Sequence, residues 1–487
     1  MPIKEILLKY TTLTSIALLI IGLNQILYNV IIGKCFGSEI LGQINFVLSI
    51  AMLIPLTVSS ILEPSAAKFL SEYLAKKNEE AIRYIFVQLQ KWAVIGSAVL
   101  IICAIIIQKY LIYKLEISED LYLLSLFLIF LIIFHHLYRG CFYGLYDVEH
   151  YFKFEVISCI SFIPALGAVY VLGKYFLLPY LIYYGLFSAL SILALRDHFK
   201  KDHHINFDNH INLDNYHINL DRLILEYGAV AMIGTLASTS RAYIATITTG
   251  IYLPPEQVGL YSATVSITTA LLYAPGVIDR VLLPSFSYSH GKEDIYTVKT
   301  LVEQATAGLS IVALFMSGLF IILGKDFLRI LFTPEFSAAT FSLQMLVLGV
   351  CMYTVSLPSA SALSGTRYIK IPNAANLVGL LVSLALWTYL IPKFGIDGTA
   401  LGYVVGAFLS SIIPIYYAKK YYNIYLKNTN LIIIKSLIIF SAAVFINIIN
   451  PISSDLIASG IFVIVFFVAF RRNIAFYLHK IDFTSWQ

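Results

Sequence analysis

Arg241 is the residue whose placement most demands a chemical reason. It lies in the middle of an apolar run from 223 to 250, flanked by Ser238, Thr239, Ser240, Tyr243 and Thr246. An ionised side chain at mid-bilayer costs about 2.5–3.5 kcal/mol on the insertion scale, so it takes a partner or faces water. A guanidinium presents fixed donors that match phosphate oxygens in pairs. Arg241 therefore reads either as a cation awaiting an anionic group in a central cavity or as a tie between helices through backbone carbonyls. Its counterpart about 217 residues earlier is Asn24, beside Gln25 and Tyr28. Arg241, Asn24, Gln25, Tyr28 and Tyr243 form the candidate substrate-contact set.

A second group of polar residues stands nearer the ends of apolar runs. Glu63 closes one run, and Asp279 with Arg280 closes its later counterpart. They are candidates for a gating salt bridge, against the simpler reading of interfacial charges that reach water along their own stems. His135, His136 and Arg139 fall within one helical turn and offer either a proton acceptor or a second phosphate contact. A tandem repeat, His204 to Asp208, His210 to Asp214 and His217 to Asp221, is rich in metal-capable side chains but lacks the closed ligand set of a structural site, so it reads as a linker. Cys35, Cys103, Cys141, Cys159 and Cys351 are scattered without metal-like spacing and read as packing residues. No resident cofactor or metal is expected.

The elements that must position these side chains are membrane helices. The chain has 487 residues, of which 59% are hydrophobic and 13% charged, with a mean hydropathy of +0.82. Runs of about 20 apolar residues are long enough to cross a bilayer. They occur near 11–33, 40–63, 85–108, 121–146, 153–173, 176–195, 223–250, 258–283, 299–323, 338–364, 369–391, 396–417, 431–449 and 455–470. The fold expected is an all-α polytopic membrane protein of about 14 transmembrane helices, two six-helix repeats forming two lobes around a central cavity, plus two C-terminal helices. The corresponding limits are 1–195, a cytoplasmic linker at 196–222, 223–417, and 418–487.

The repeat itself is visible in side-chain classes. Glu39-Ile40-Leu41-Gly42, an apolar run broken by Pro55 and a closing Pro64-Ser65 return as Glu256-Gln257-Val258-Gly259, a run broken by Pro275, and Pro284-Ser285. Two similar halves can rock about a shared site, which points to transport. The matched prolines Pro55 and Pro275 are the hinge candidates, because a proline frees a carbonyl and kinks the helix. Most Lys and Arg fall in the segments that share a side with the amino terminus, which places both termini in the cytoplasm and the chain in the cell membrane. The outer loops are short and leave no room for a catalytic domain. The GxxxxGK phosphate loop is absent. The chain is therefore not expected to be an enzyme or to bind nucleic acid, and any energy must come from a gradient or a partner.

Glu39-Ile40-Leu41-Gly42, the segment from Gly365 through Lys370 to Asn373 and Asn376, and Leu390-Ile391-Pro392-Lys393-Phe394-Gly395-Ile396-Asp397-Gly398-Thr399-Ala400 together resemble the polysaccharide transporter branch of the multidrug/oligosaccharidyl-lipid/polysaccharide exporter superfamily, which includes the O-antigen flippases. The resemblance extends over essentially the whole chain. It implies a two-lobed bundle that alternates between inward and outward openings and moves polyprenyl-diphosphate-linked oligosaccharide across the cytoplasmic membrane. Implied partners are that lipid-linked substrate, the membrane lipids and other polysaccharide-assembly proteins. Arg241 fits the family's cavity cations; Asn24 is neutral where some relatives carry charge, which leaves open whether one cation suffices and whether Arg139 or Arg280 supplies the second. The coupling ion, Na+ or H+, stays open. The alternative of the same fold is a cation-coupled multidrug or organic-cation exporter, which calls for an acidic rather than a basic cavity.

Overall fold

Inside a bilayer every backbone polar group must be satisfied within its own segment, so a chain this apolar folds as helices. The computed structural model describes residues 3–115, 118–200, 213–425, 432, 434, 460 and 462–471, with side chains over 12–106, 118–196, 220–425 save 230, 274, 280, 281 and 284, and at 432, 434, 460 and 462–471. Among the described residues the regular structure is helical throughout. The elements run α1 (Ile3–Ala75), α2 (Glu79–Leu115), α3 (Glu119–Gly144), α4 (Val148–Leu172), α5 (Leu178–Lys200), α6 (Leu213–Tyr252), α7 (Pro255–Gly291), α8 (Ile295–Leu331), a 3-10 turn (Pro334–Ala339), α9 (Thr340–Ser364) and α10 (Lys370–Tyr422). Ten of these helices are long and apolar enough to cross a membrane.

Two of the ten are too long for a single crossing, and each carries one break. In α1 the break is Gly37, at φ 84° and ψ 177°. In α10 it is Gly395, at φ 59° and ψ −137°. A side chain is strained at such positive φ, so glycine is what permits the chain to turn there without a loop. Dividing both helices at these points gives twelve segments, which match the first twelve apolar runs. The last two expected spans fall largely outside the described residues; 462–471 is helical. Other helix starts follow ordinary capping chemistry: Ser118, Asp147 and Asp294 each accept a backbone N–H of the first turn.

The chain divides by contact into two compact units. The first comprises Met1–Tyr28 and Gln43–Gly250, and the second Asn29–Gly42 and Ile251–Gln487. This division departs from lobe limits of 1–195 and 223–417, because α6 groups with the first unit and the 29–42 stretch with the second. The expected linker is also shorter than 196–222: α6 begins at Leu213. Near that start Asp221 accepts hydrogen bonds from Tyr84 Oη at 3.1 Å and Gln88 Nε2 at 3.2 Å, tying α6 to α2. Most of the His-rich repeat, from His203 to Asn212, lies outside the described residues.

The second unit has two apolar clusters. One joins Leu282 and Phe286 of α7, Val298 and Val302 of α8, Leu363 of α9 and Tyr422 of α10. The other seats Phe462, Phe466 and Phe470 against Ala307, Ile311 and Ile322 of α8. Within the same unit the two copies of the repeated Glu-x-x-Gly motif meet. A Cβ at Gly42 would collide with the Pro255 carbonyl and approach the Gly259 nitrogen at 2.7 Å. A Cβ at Gly259 would collide with the Ser38 carbonyl and stand 3.0 Å from the Gly42 nitrogen. Glu335, from the turn after α8, accepts from the Ser38 N–H at 3.2 Å and so caps the helix that restarts after Gly37.

Candidate functional site

The first unit gathers most of the polar residues singled out in the sequence. Arg241 lies on α6 and is 7% exposed. The hydroxyls around it are turned onto their own helix: Ser240 donates to the Leu236 carbonyl, and Thr246 to Ala242 at 3.2 Å. This satisfies each hydroxyl locally, as helices in apolar surroundings require. Asn24, the repeat counterpart of Arg241, falls in the same compact unit. Its Nδ2 donates to the Cys159 carbonyl of α4 at 2.9 Å, and Tyr28 donates to the Phe176 carbonyl at 2.8 Å. Tyr28 is fully buried, with its ring 4.9 Å from Tyr180 and 6.0 Å from Phe162. In this conformation both side chains hold α1 to α4 and to the α4–α5 connection. Gln25 is half-buried beside them. Tyr243 stands within electrostatic range of Tyr184, which in turn reaches Glu155 and Arg139.

Glu63 and Arg139 are brought together. Arg139 Nε donates to Glu63 Oε1 and Nη2 to Oε2, both at 2.7 Å, a paired fork-to-fork geometry. Gly140 makes this possible: a Cβ there would stand 2.5 Å from the Glu63 carbonyl oxygen, so only glycine lets α3 and α1 approach this closely. His136 Nδ1 is 2.7 Å from Glu63 Oε2 and 2.8 Å from Arg139 Nη2, and its protonation decides which of the two it bonds. The side chains are 19–23% exposed. Asp279, near the end of the later counterpart run, sits in the second unit and accepts from Ser361 of α9. Arg280 is on α7, and its side chain lies outside the described residues. Pro55 and Pro275 are both buried within unbroken helical stretches.

Glu155 is the functional candidate that sequence reasoning passed over. It is fully buried on α4, accepts from the Tyr183 hydroxyl of α5, and places Oε2 3.5 Å from His135 Nε2. Its signal in the sequence is one carboxylate in the run Phe154-Glu155-Val156-Ile157, which by itself looks like an interfacial charge. No cluster of three or more metal-capable side chains with ligand geometry occurs among the described residues.

The all-helical fold is shared with solved structures of transporters of the MOP superfamily. The structure superposes on the lipid II flippase MurJ in its inward closed conformation with a TM-score of 0.71 at 15% identity, over 96% of this chain and 100% of that one. It superposes on the inward-facing conformation of a multidrug resistance MATE family transporter with a TM-score of 0.68 at 12% identity, over 82% of this chain and 94% of that one. The family described as "Polysaccharide biosynthesis protein" matches residues 7–290, and the chain belongs to it. The uncharacterized membrane protein MJ1068 of Methanocaldococcus jannaschii is 26% identical over 215 residues, 41% of this chain and 40% of that protein.

Proposed function

We propose that the protein is a flippase that moves polyprenyl-diphosphate-linked oligosaccharide across the cytoplasmic membrane by alternating access, for surface polysaccharide or glycan synthesis. The observation that carries this reading is Arg241: a cation 7% exposed on an apolar helix, in a chain of the polysaccharide biosynthesis family. A diphosphate is the anionic group that would give such a guanidinium a transported partner. Gln25 and Tyr243 are the neighbouring contacts, while Asn24 and Tyr28 hold the helices that present them. Arg139, engaged by Glu63, becomes a second phosphate contact only when that pair opens, which makes the pair a gate. Pro55 and Pro275 are the hinges. Both termini face the cytoplasm, and partners are the lipid-linked substrate and other assembly proteins.

The organic-cation exporter of the same fold calls for a carboxylate offered to its substrate. Here Glu63 is engaged by Arg139 and His136, and Glu155 by Tyr183 and His135. The deciding experiment compares the sidedness of lipid-linked oligosaccharide in cells with and without the gene. Precursor accumulating on the cytoplasmic face of the deletion strain is the expected result. Unchanged sidedness and surface glycan overturn the reading and move the exporter forward.

A further inference from the structure

One end of the second unit is strongly cationic, and the sequence around it supplies almost no acid. Between Glu335 and Asp455 the chain has a single acidic residue, Asp397, which lies beside the Gly395 break at the far end of both arms of α10. Arg367 and Lys370 lie where α9 gives way to α10, and Lys419 and Lys420 stand in the last turn of α10. All four are exposed, and among the described residues none of them forms an ion pair. The two arms of α10 run back against each other: the Ser410 hydroxyl donates to the Ala375 carbonyl at 3.2 Å, and a Cβ at Gly406 would collide with Ser383. Both pairs of cations therefore come to the same end of the unit. The acids nearby on α8 are engaged, Asp294 as its helix cap and Glu303 by the Tyr425 N–H at 2.6 Å.

An aromatic frame holds this end together. Tyr368 and Tyr421 stack with ring centroids 4.2 Å apart and planes 6° from parallel, and Tyr417 extends the stack at 5.9 Å from Tyr421. The Arg367 guanidinium lies over the Tyr368 ring at 5.6 Å. Tyr422 is the buried anchor, its hydroxyl 2.6 Å from Thr366 Oγ1. Away from the cations, the exposed side chains of α10 fall on one face: Val405, Phe408, Ile412 and Tyr416 recur three or four residues apart and lead to Lys419 and Lys420. Apolar residues, then a tyrosine that is 61% exposed, then lysines follow the order of acyl chain, interface and headgroup in a lipid leaflet.

We propose that this end of the second unit binds the headgroup of an anionic phospholipid, its charge offset by Arg367, Lys370, Lys419 and Lys420 and its acyl chains lying along the exposed face of α10. The guanidinium offers paired donors to phosphate oxygens, and the lysines act as point charges around it. A zwitterionic lipid covers the same apolar face but brings no net charge to balance four cations. Free phosphate or an acidic protein segment balances the cations but leaves the apolar face unused. With the orientation proposed above, the lipid belongs to the cytoplasmic leaflet, where anionic headgroups draw basic segments to the surface. The site is independent of the cargo, so it stands or falls apart from the flippase reading.

The test is native mass spectrometry of the full-length chain released from mixed micelles of phosphatidylglycerol and phosphatidylcholine. Native protein is expected to retain phosphatidylglycerol several-fold over phosphatidylcholine, with the preference shrinking as salt is raised. The double variants R367Q/K370Q and K419Q/K420Q are each expected to reduce that preference several-fold. K77Q/R83Q, which removes two exposed cations from the first unit, is expected to keep it and so controls for net charge. If the double variants do not yield monodisperse protein, competition on the native chain decides: inorganic phosphate or polyglutamate, at matched ionic strength, is expected to leave the lipid bound. Equal retention of the two lipids by native protein overturns the site, and so does an equal loss of preference in K77Q/R83Q. Displacement by phosphate or by polyglutamate also overturns it, and marks a soluble anion or an acidic protein segment as the ligand instead.

Discussion

Gly42 and Gly259, counterparts in the internal repeat, touch each other. The room for a Cβ at either one is occupied by backbone of the other's segment, with the Gly259 nitrogen 2.7 Å from the site of a Gly42 Cβ. Backbone cannot rotate away as a side chain does, so a methyl group there forces the helices apart. Overpacking of this kind costs about 1–3 kcal/mol. Gly42→Ala and Gly259→Ala are each expected to lower the thermal midpoint in detergent. The double variant is expected to cost less than the sum, because the first substitution already separates the crossing. Additive losses would show that the two glycines do not share one contact.

Glu63 and Arg139 make a second testable pair. Removing one partner of a buried ion pair leaves the other charge uncompensated and costs about 3–5 kcal/mol; the partial exposure here places the expectation below that range. Glu63→Gln and Arg139→Gln should each destabilise the chain, and the double variant should recover part of the loss. In the second unit Ser361→Ala removes a hydroxyl from Asp279 and should cost about 1–3 kcal/mol, with no rescue by a distant charge change. Thermal unfolding of the four variants in one detergent checks both. A double variant no better than the singles would sink the pairing.

The architecture was largely legible from the chain, because apolar runs of bilayer length and a repeated Glu-x-x-Gly signature survive any packing detail. Arg241, Glu63, Arg139, His135 and His136 were legible for a related reason: charge is rare in such segments, so each instance stands out. Glu155 was missed because its meaning lies in partners on other helices, His135 on α3 and Tyr183 on α5. The sequence also paired Gly42 with Gly259 as copies, yet gave no sign that the copies meet. The start of α6 was placed late because His217 to Asp221 reads as linker, while the helix reaches back to Leu213. Polarity marks where a helix leaves the lipid, which is not where it ends.

Phe462 is expected to anchor the last helical stretch. Its ring fills the space over Gly318 on α8, where a Cβ would collide with the ring, and Phe466 and Phe470 belong to the same cluster with Ile311 and Ile322. Gly318→Val should displace that ring and expose the 462–471 segment. Limited proteolysis in detergent is expected to cut the variant near its C-terminal end faster than the native chain. Equal cutting rates would mean that the seat on α8 does not hold the segment.

Arg241 separates a site for phosphate from a structural tie. Arg241→Lys keeps the charge and loses the paired donors, and Arg241→Gln keeps part of the hydrogen bonding and loses the charge. If the side chain meets a diphosphate, transport should fall in the order Arg, Lys, Gln, with Lys down several-fold and Gln close to the deletion. The assay is lipid-linked precursor on the cytoplasmic face at matched expression. A tie to backbone carbonyls predicts another pattern: thermal stability would fall with the substitutions, and sidedness would follow the amount of folded protein. A stable Gln variant that flips precursor normally would remove Arg241 from the substrate path.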